Sequence, residues 1–300
     1  MMYLAHSLPF ARFARGSLCL LCCLLGGIAK PSFAEDLGED WDLLGATRQH
    51  SLGVRLGNSD ATNWGVSADL MLPAATELYL DYLHSDLDVP QGDEQIANYQ
   101  LRFTTDPLAA WSSQLTYERS GKSSSLQTED VGVGVQYSRN RWIAGVRYLR
   151  GKVELQTNPI ASNLQPRRFE LDRNGVELQL STFTDRWQGS VRYLDYDYER
   201  SVRLDPNSLQ LLRRLGLNTF QQVFGLLDWS ATVEASHQRE KHLWRLGYSQ
   251  HALELTDESG QIPYVGWDYQ LSSVLTLGVL GAVGLSDSEH YGELALGFRF

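Results

Sequence analysis

The stretch that decides the fold is residues 131–148, which read VGVGVQYSRNRWIAGVRY. Apolar side chains occupy every second position on both sides of the polar segment 138–141. Successive side chains of a β-strand point to opposite faces, so this alternation predicts two antiparallel strands with one apolar and one polar face. Tyr137 ends the first apolar row and Trp142 begins the second.

The same alternation extends in both directions, in blocks separated by polar turn-forming residues, from Ser51 to Phe300. It predicts an all-β chain of about fourteen strands, arranged as an antiparallel up-and-down β-barrel. The count depends on residues 205–228: 208–215 have the pattern of a short helix, whereas 218–227 would also extend a strand. Twelve and sixteen strands therefore stay open as alternatives.

Aromatic residues mark the ends of the apolar rows, which favours lipid over water around the barrel. Tryptophan and tyrosine prefer the membrane–water boundary, whereas a soluble core would place aromatic side chains in mid-strand. Three tryptophans begin rows and five tyrosines end them: Trp111, Trp142, Trp187, Tyr82, Tyr117, Tyr137, Tyr148 and Tyr193.

The connections and the prolines favour the same interpretation. The segments 138–141 and 184–186 are short, whereas 85–95, 120–130, 156–168 and 256–262 are long and polar. Short periplasmic turns and longer outer loops are typical of outer-membrane barrels. Prolines are expected outside the strands, because an unbroken ladder needs every backbone donor.

The first 34 residues have the pattern of a cleaved secretory signal. Arg12 and Arg15 precede the apolar run 18–28, and Ser32 and Ala34 form the small-x-small pattern before a cleavage point. This segment holds all three cysteines, three of the 26 basic residues and none of the 36 acidic ones, which leaves 23 basic and 36 acidic side chains. Such an acid excess excludes general nucleic-acid binding. We expect 35–46 to be a periplasmic lead and 47–300 the barrel.

Residues 291–300, YGELALGFRF, end in phenylalanine with apolar side chains at alternating positions before it. This segment resembles the C-terminal strand of bacterial outer-membrane β-barrels, and the chain as a class resembles monomeric porins. The resemblance implies a Gram-negative outer-membrane location, contact with its lipid, and recognition by the barrel-assembly machinery of Leu294, Leu296, Phe298 and Phe300.

If the apolar face lies outside, the polar face lines the lumen. The predicted pore-lining residues are Arg55, Asp69, Glu77, Asp81, Arg102, Glu118, Arg147, Glu177, Arg192, Glu234 and Arg245. About fourteen strands enclose more space than side chains fill. We therefore expect a passive channel for small hydrophilic solutes or ions, without a cofactor. Acidic loops would give it a weak preference for cations: Asp86, Asp88, Asp93, Glu94, Asp257, Glu258, Asp287 and Glu289.

Two other functions stay open. A lipid hydrolase would need a serine–histidine device; the candidates are His50 with Ser51, His84 with Ser85, Ser236 with His237, and Ser249 near His251, and none lies in a nucleophile signature. A docking barrel of an envelope export complex would use 205–228 as a lid or partner-binding element. No metal-ligand spacing is present, and the carboxylates at 195, 197 and 199 fit a solvated strand extension better than a metal site.

Overall fold

The computed structural model describes residues 50–58, 61–73, 76–89, 92–107, 109–121, 126–157, 167–199, 226–254, 259–285 and 290–300. The predicted signal 1–34, the lead 35–46 and the segment 205–225 lie outside these ranges. Among the described residues, none forms a helix with the length and hydropathy of a membrane span.

The described residues form fourteen strands. Their bounds are β1 Ser51–Asn58, β2 Ala61–Leu72, β3 Thr76–Val89, β4 Gly92–Thr104, β5 Trp111–Gly121, β6 Leu126–Arg139, β7 Trp142–Thr157, β8 Arg167–Phe183, β9 Trp187–Tyr198, β10 Leu227–Arg239, β11 His242–Leu253, β12 Ser259–Gln270, β13 Leu275–Val283 and β14 His290–Arg299.

These strands form one closed antiparallel barrel in which each strand pairs with its neighbours in sequence and β1 pairs with β14. The closing pair runs from Ser51 opposite Arg299 to Asn58 opposite Gly292. Closure leaves no free sheet edge, which a β structure in lipid requires. The fold class and the count of fourteen are confirmed, and the alternatives of twelve and sixteen strands are excluded for this structure.

The outer face is apolar, as the alternation predicts. On β6, Val131, Val133 and Val135 are 48%, 55% and 47% exposed. Their neighbours Gly132 and Gly134 point the other way, toward Arg147 on β7. Because such side chains cannot bury themselves against the barrel, they form a surface suited to acyl chains.

Aromatic rings gather at both ends of the barrel. At the end with short turns, Trp111 and Tyr137 lie with ring centroids 4.6 Å apart. At the opposite end, Tyr82 and Tyr99 are 5.0 Å apart. The position of Trp229 differs from the sequence expectation. In the sequence, the junction of Asp228 with Trp229 looks like a short periplasmic turn. The Trp229 ring instead lies at the long-loop end, 6.5 Å from that of Tyr193, because β10 begins there.

The hairpin of β6 and β7 has a two-residue turn. Arg139 pairs with Trp142, and Asn140 between them adopts a φ of 53°. Asparagine tolerates this left-handed region better than most residues, and tight β-hairpins need it.

Several further sequence expectations were wrong. The connections 120–130 and 256–262 are largely paired strand, since Gly121 lies opposite Gln127 and Ala252 opposite Ser259. The segment 85–95 is no long loop, since β3 and β4 remain paired as far as Val89 opposite Gly92. Its proline, glycine and acidic residues resemble a loop in the sequence. Pro263 lies inside β12, opposite Tyr248 of β11. Proline lacks a backbone N–H. Because residue-by-residue pairing of β12 with β13 begins only at Tyr264, this missing donor interrupts no hydrogen-bond ladder between these two strands.

Candidate functional site

Ion pairs cover much of the inward face of the barrel. Arg55 of β1 reaches Asp81 of β3 at 2.5 Å, and Arg102 of β4 reaches Glu77 at 3.2 Å. On the far side, Arg245 of β11 lies 3.0 Å from its partner on β12, Asp268. Because each pair joins two strands, the pairs stabilise the wall and neutralise much of its charge.

The centre of the charged wall is a three-residue group on β5, β7 and β8. Arg147 donates to Glu118 at 2.9 Å and to Glu177 at 2.7 Å. Gln100 of β4 donates a further hydrogen bond to Glu118 at 3.1 Å. One guanidinium thus serves two carboxylates, so this group keeps one net negative charge.

A more deeply buried ion pair lies toward the long-loop end. Arg173 of β8 and Asp130 of β6 are 3% and 4% exposed and form two hydrogen bonds, one of them of 3.0 Å from Nε to Oδ1. The guanidinium also lies 4.2 Å from the ring centroid of Tyr196. Tyr198 accepts a hydrogen bond from Arg173 at 3.4 Å and donates one to the carbonyl of Leu227 at 2.8 Å.

Apolar side chains surround this ion pair inside the barrel, which the sequence interpretation missed. The buried cluster consists of Leu149, Val153, Tyr196, Tyr198 and Leu226. Its members on β7 follow Arg147 at alternate positions and therefore share its inward face. A signal was present in the sequence, since β9 carries apolar or aromatic residues at 194, 196 and 198 between polar ones.

Inward glycines make room for these large side chains. A Cβ at Gly151 would clash with the carboxylate of Asp130 and lie 2.6 Å from the carbonyl oxygen of Glu129. At Gly175 it would lie 2.8 Å from the ring of Tyr196. The buried pair therefore depends on the absence of a side chain at both positions.

A cavity of about 420 Å³ opens between the charged and the apolar parts of the wall. Five of the eleven predicted pore-lining residues line it: Asp81, Glu118, Arg147, Glu177 and Arg192. The other six lie on the inward face away from this cavity: Arg55, Asp69, Glu77, Arg102, Glu234 and Arg245. Its remaining wall includes Leu194, Ser230, Thr232, Ser249 and Ile262.

The serine–histidine candidates show no dyad between chain neighbours. His84 and Ser85 are adjacent in β3 and therefore point to opposite faces. His84 contacts Asp86 at 3.2 Å, while Ser85 is only 2% exposed on the inner face. Ser236 and His237 are separated in the same way on β10, and His50 stacks on Phe300.

Ser249 and His251 share the inward face of β11, and Ser249 lies 3.1 Å from the hydroxyl of Thr232. Within the ranges that the structure describes, no group of three or more histidine, cysteine, aspartate or glutamate side chains is placed to hold a metal ion.

A closed antiparallel barrel with an apolar exterior and charged side chains inside is the fold of bacterial outer-membrane β-barrels. No protein-family model matches the sequence, and no curated protein matches it significantly.

Solved structures similar to this chain include three outer-membrane or channel proteins. A loop-deletion mutant of OmpT, an outer membrane protein of Vibrio cholerae, is 11% identical over 84% of this chain and 98% of its own, with a TM-score of 0.48. The CymD monoaromatic hydrocarbon channel is 12% identical over 91% and 95%, with a TM-score of 0.46. The KdgM porin in complex with disordered oligogalacturonate is 8% identical over 83% and 99%, with a TM-score of 0.43. At these identities the likeness transfers neither substrate nor partner.

Proposed function

We propose that the barrel is a passive channel for small hydrophilic solutes across a bacterial outer membrane. The observation that carries this proposal is the partition of the wall: apolar side chains face outward, whereas most of the side chains that line a cavity of about 420 Å³ inside are charged or polar. Charged groups that contact water need less compensation than charged groups in a dry core. A hydrated lumen therefore accounts for polar side chains at so many inward positions.

The proposal includes a weak preference for cations. The paired charges of the wall cancel locally: Glu118 and Glu177 share one arginine, and their one excess negative charge is balanced by Arg192 on the same cavity wall, so the preference would come from the long-loop end. The sequence also places Asp86, Asp88, Asp93 and Glu94 at the ends of β3 and β4 on the long-loop side. Negative charge at a pore mouth raises the local concentration of cations.

Ion conduction by the refolded protein tests this function. In planar lipid bilayers we expect stable single-channel current steps. In a potassium chloride gradient we expect a reversal potential with the sign that a higher permeability to potassium than to chloride produces. Conductance with anion preference would contradict the cation preference alone. A silent bilayer would contradict the channel, and lipid hydrolysis by the same sample would favour an enzyme.

We also propose that acyl chains cover the outer face and that the assembly machinery recognises the last strand. Leu294, Phe298 and Phe300 are 49%, 42% and 64% exposed on that face. Phe300 also exchanges two backbone hydrogen bonds with His50, of 3.2 and 3.0 Å. Its side chain is therefore available for recognition, while its backbone completes the seam between β1 and β14.

Replacing Phe300 with alanine is expected to reduce the folded barrel in cell membranes several-fold, because the recognition side chain is lost while the backbone hydrogen bonds remain. Folded protein would be measured by heat-modifiable gel mobility. Leu271→Ala, in the turn after β12 at the same end, is the matched control and should match the unmodified protein. Refolding of F300A into pure lipid vesicles should be nearly normal; an equal loss there would assign Phe300 to stability rather than recognition.

A further inference from the structure

We propose that the cavity contains a binding site, centred on Arg192, for an organic monocarboxylate with an apolar body. The inference rests on the proposed function, since it names the class of solute that the channel would hold in transit. A weak cation preference among small inorganic ions is compatible with one organic anion bound inside.

Arg192 differs from five other lumen arginines in having no carboxylate partner among the residues that the structure describes. Its side chain is exposed to the cavity, and within the described ranges it forms no hydrogen bond or ion pair. Five other arginines of the inner wall are all bound to carboxylates: Arg55, Arg102, Arg147, Arg173 and Arg245. A guanidinium that faces a cavity with its donors free is available to an anion.

The carboxylates nearest to Arg192 along the sheet already have donors. On β8, Gln179 pairs with Arg192, and Glu177 is the diagonal neighbour, bound to Arg147 at 2.7 Å. On β10, Thr232 pairs with Arg192, and Glu234 is the diagonal neighbour, bound by the Tyr264 hydroxyl at 2.7 Å. A carboxylate that enters the cavity would therefore meet little competition from protein carboxylates for the Arg192 guanidinium.

Residues with hydroxyl groups neighbour Arg192 on the sheet. Thr232 faces Arg192 across the strand pair, and its hydroxyl lies 3.1 Å from that of Ser249 on β11. Both residues line the cavity, as does Ser230. A planar guanidinium fork matches the two oxygens of a carboxylate, and adjacent hydroxyls can donate to the same oxygens.

The apolar part of the solute would lie toward the long-loop end. Leu194 follows Arg192 by two positions on β9 and shares its inward face. Leu227 and Ile262 also line the cavity, and all three side chains are partly exposed. Pockets for small organic ligands measure about 300–1,000 Å³ and combine apolar surface with polar anchors; these three apolar side chains and Arg192 would supply the two parts here.

Benzoate is the probe for this site, with benzamide as its uncharged counterpart and acetate as the carboxylate without an apolar body. Binding to the full barrel refolded in detergent would be measured by calorimetry. We expect benzoate to bind more tightly than either comparison compound. Arg192→Gln should weaken benzoate binding by about tenfold or more, the usual range for a charged hydrogen-bond donor, and Arg192→Lys should recover part of the loss.

Leu194→Ser should weaken benzoate binding but leave acetate unchanged, which tests the apolar part separately from the charge. Arg239→Gln, at the last position of β10, is the matched control and should bind as the unmodified barrel. Equal benzoate affinity in R192Q and the unmodified protein, or equal affinity for benzamide, would overturn the site. If the barrel conducts ions but binds benzoate equally well without Arg192, the binding site is refuted and the channel stands. If benzoate binding depends on Arg192 but the barrel does not conduct, the channel is refuted and the binding site stands.

Discussion

Replacing Arg173 with methionine is expected to lower the free energy of unfolding by about 3–5 kcal/mol, the usual cost of breaking a buried ion pair from one side. The substitution leaves the carboxylate of Asp130, only 4% exposed, without its guanidinium. It also removes the cation that lies over the ring of Tyr196. Urea unfolding from lipid vesicles, followed by tryptophan fluorescence, measures the change.

The double variant Arg173→Met with Asp130→Leu should recover most of that loss, because no unpaired charge remains among Leu149, Val153 and Tyr198. Arg141→Gln is the matched control. Its ion pair with Asp185 spans 3.5 Å between side chains that are 47% and 73% exposed, so its removal should cost less than about 1 kcal/mol. Equal losses of unfolding free energy in R173M and R141Q would show that the buried ion pair contributes no more to stability than the exposed one.

Replacing Arg147 with glutamine is expected to raise the cation-to-anion permeability ratio by about fivefold. Glu118 and Glu177 would lose their shared cation, which adds one negative charge beside the cavity. A unit charge about 4 Å from an ion contributes about 1 kcal/mol even in water, which corresponds to that factor. The reversal potential in a salt gradient measures the ratio.

Arg147→Lys should change the ratio little, since it keeps the charge. Arg102→Gln is the matched comparison, because it also frees a carboxylate, that of Glu77, but away from the described cavity; its shift should be smaller. Adding Glu118→Gln to R147Q should restore the original ratio. An unchanged reversal potential in R147Q would mean that ions do not pass this part of the wall.

The sequence predicted the fold well because a barrel wall has a simple period. Rows such as Val131, Val133 and Val135 indicate strand, face and membrane contact together. The errors lie where that period says little. Residues 85–95 are rich in acidic and turn-forming residues, yet the strands remain paired up to Val89 and Gly92, because backbone hydrogen bonds form regardless of hydropathy. Pro263 lies in a strand because only one side of it is regularly paired at that position.

The site was predictable as a list of residue positions and not as a set of contacts. Alternation alone indicates that Arg147 and Arg192 share an inward face. It does not show that one binds two glutamates while the other has no carboxylate partner, since that depends on which side chains meet across neighbouring strands. The apolar cluster was missed for a related reason: Leu149 and Tyr196 are apolar residues at positions where the pattern predicts water.

The pairing of β1 with β14 has a consequence for how the protein reaches its folded state. Ser51 meets Arg299, so the contact that completes the barrel joins the two most distant strands of the wall. Until then both strands present unsatisfied donors and acceptors to any other extended chain, a standing risk of aggregation. Contacts between such remote segments also form slowly. We therefore expect successful folding to require that neighbouring copies be held apart until the final strand arrives.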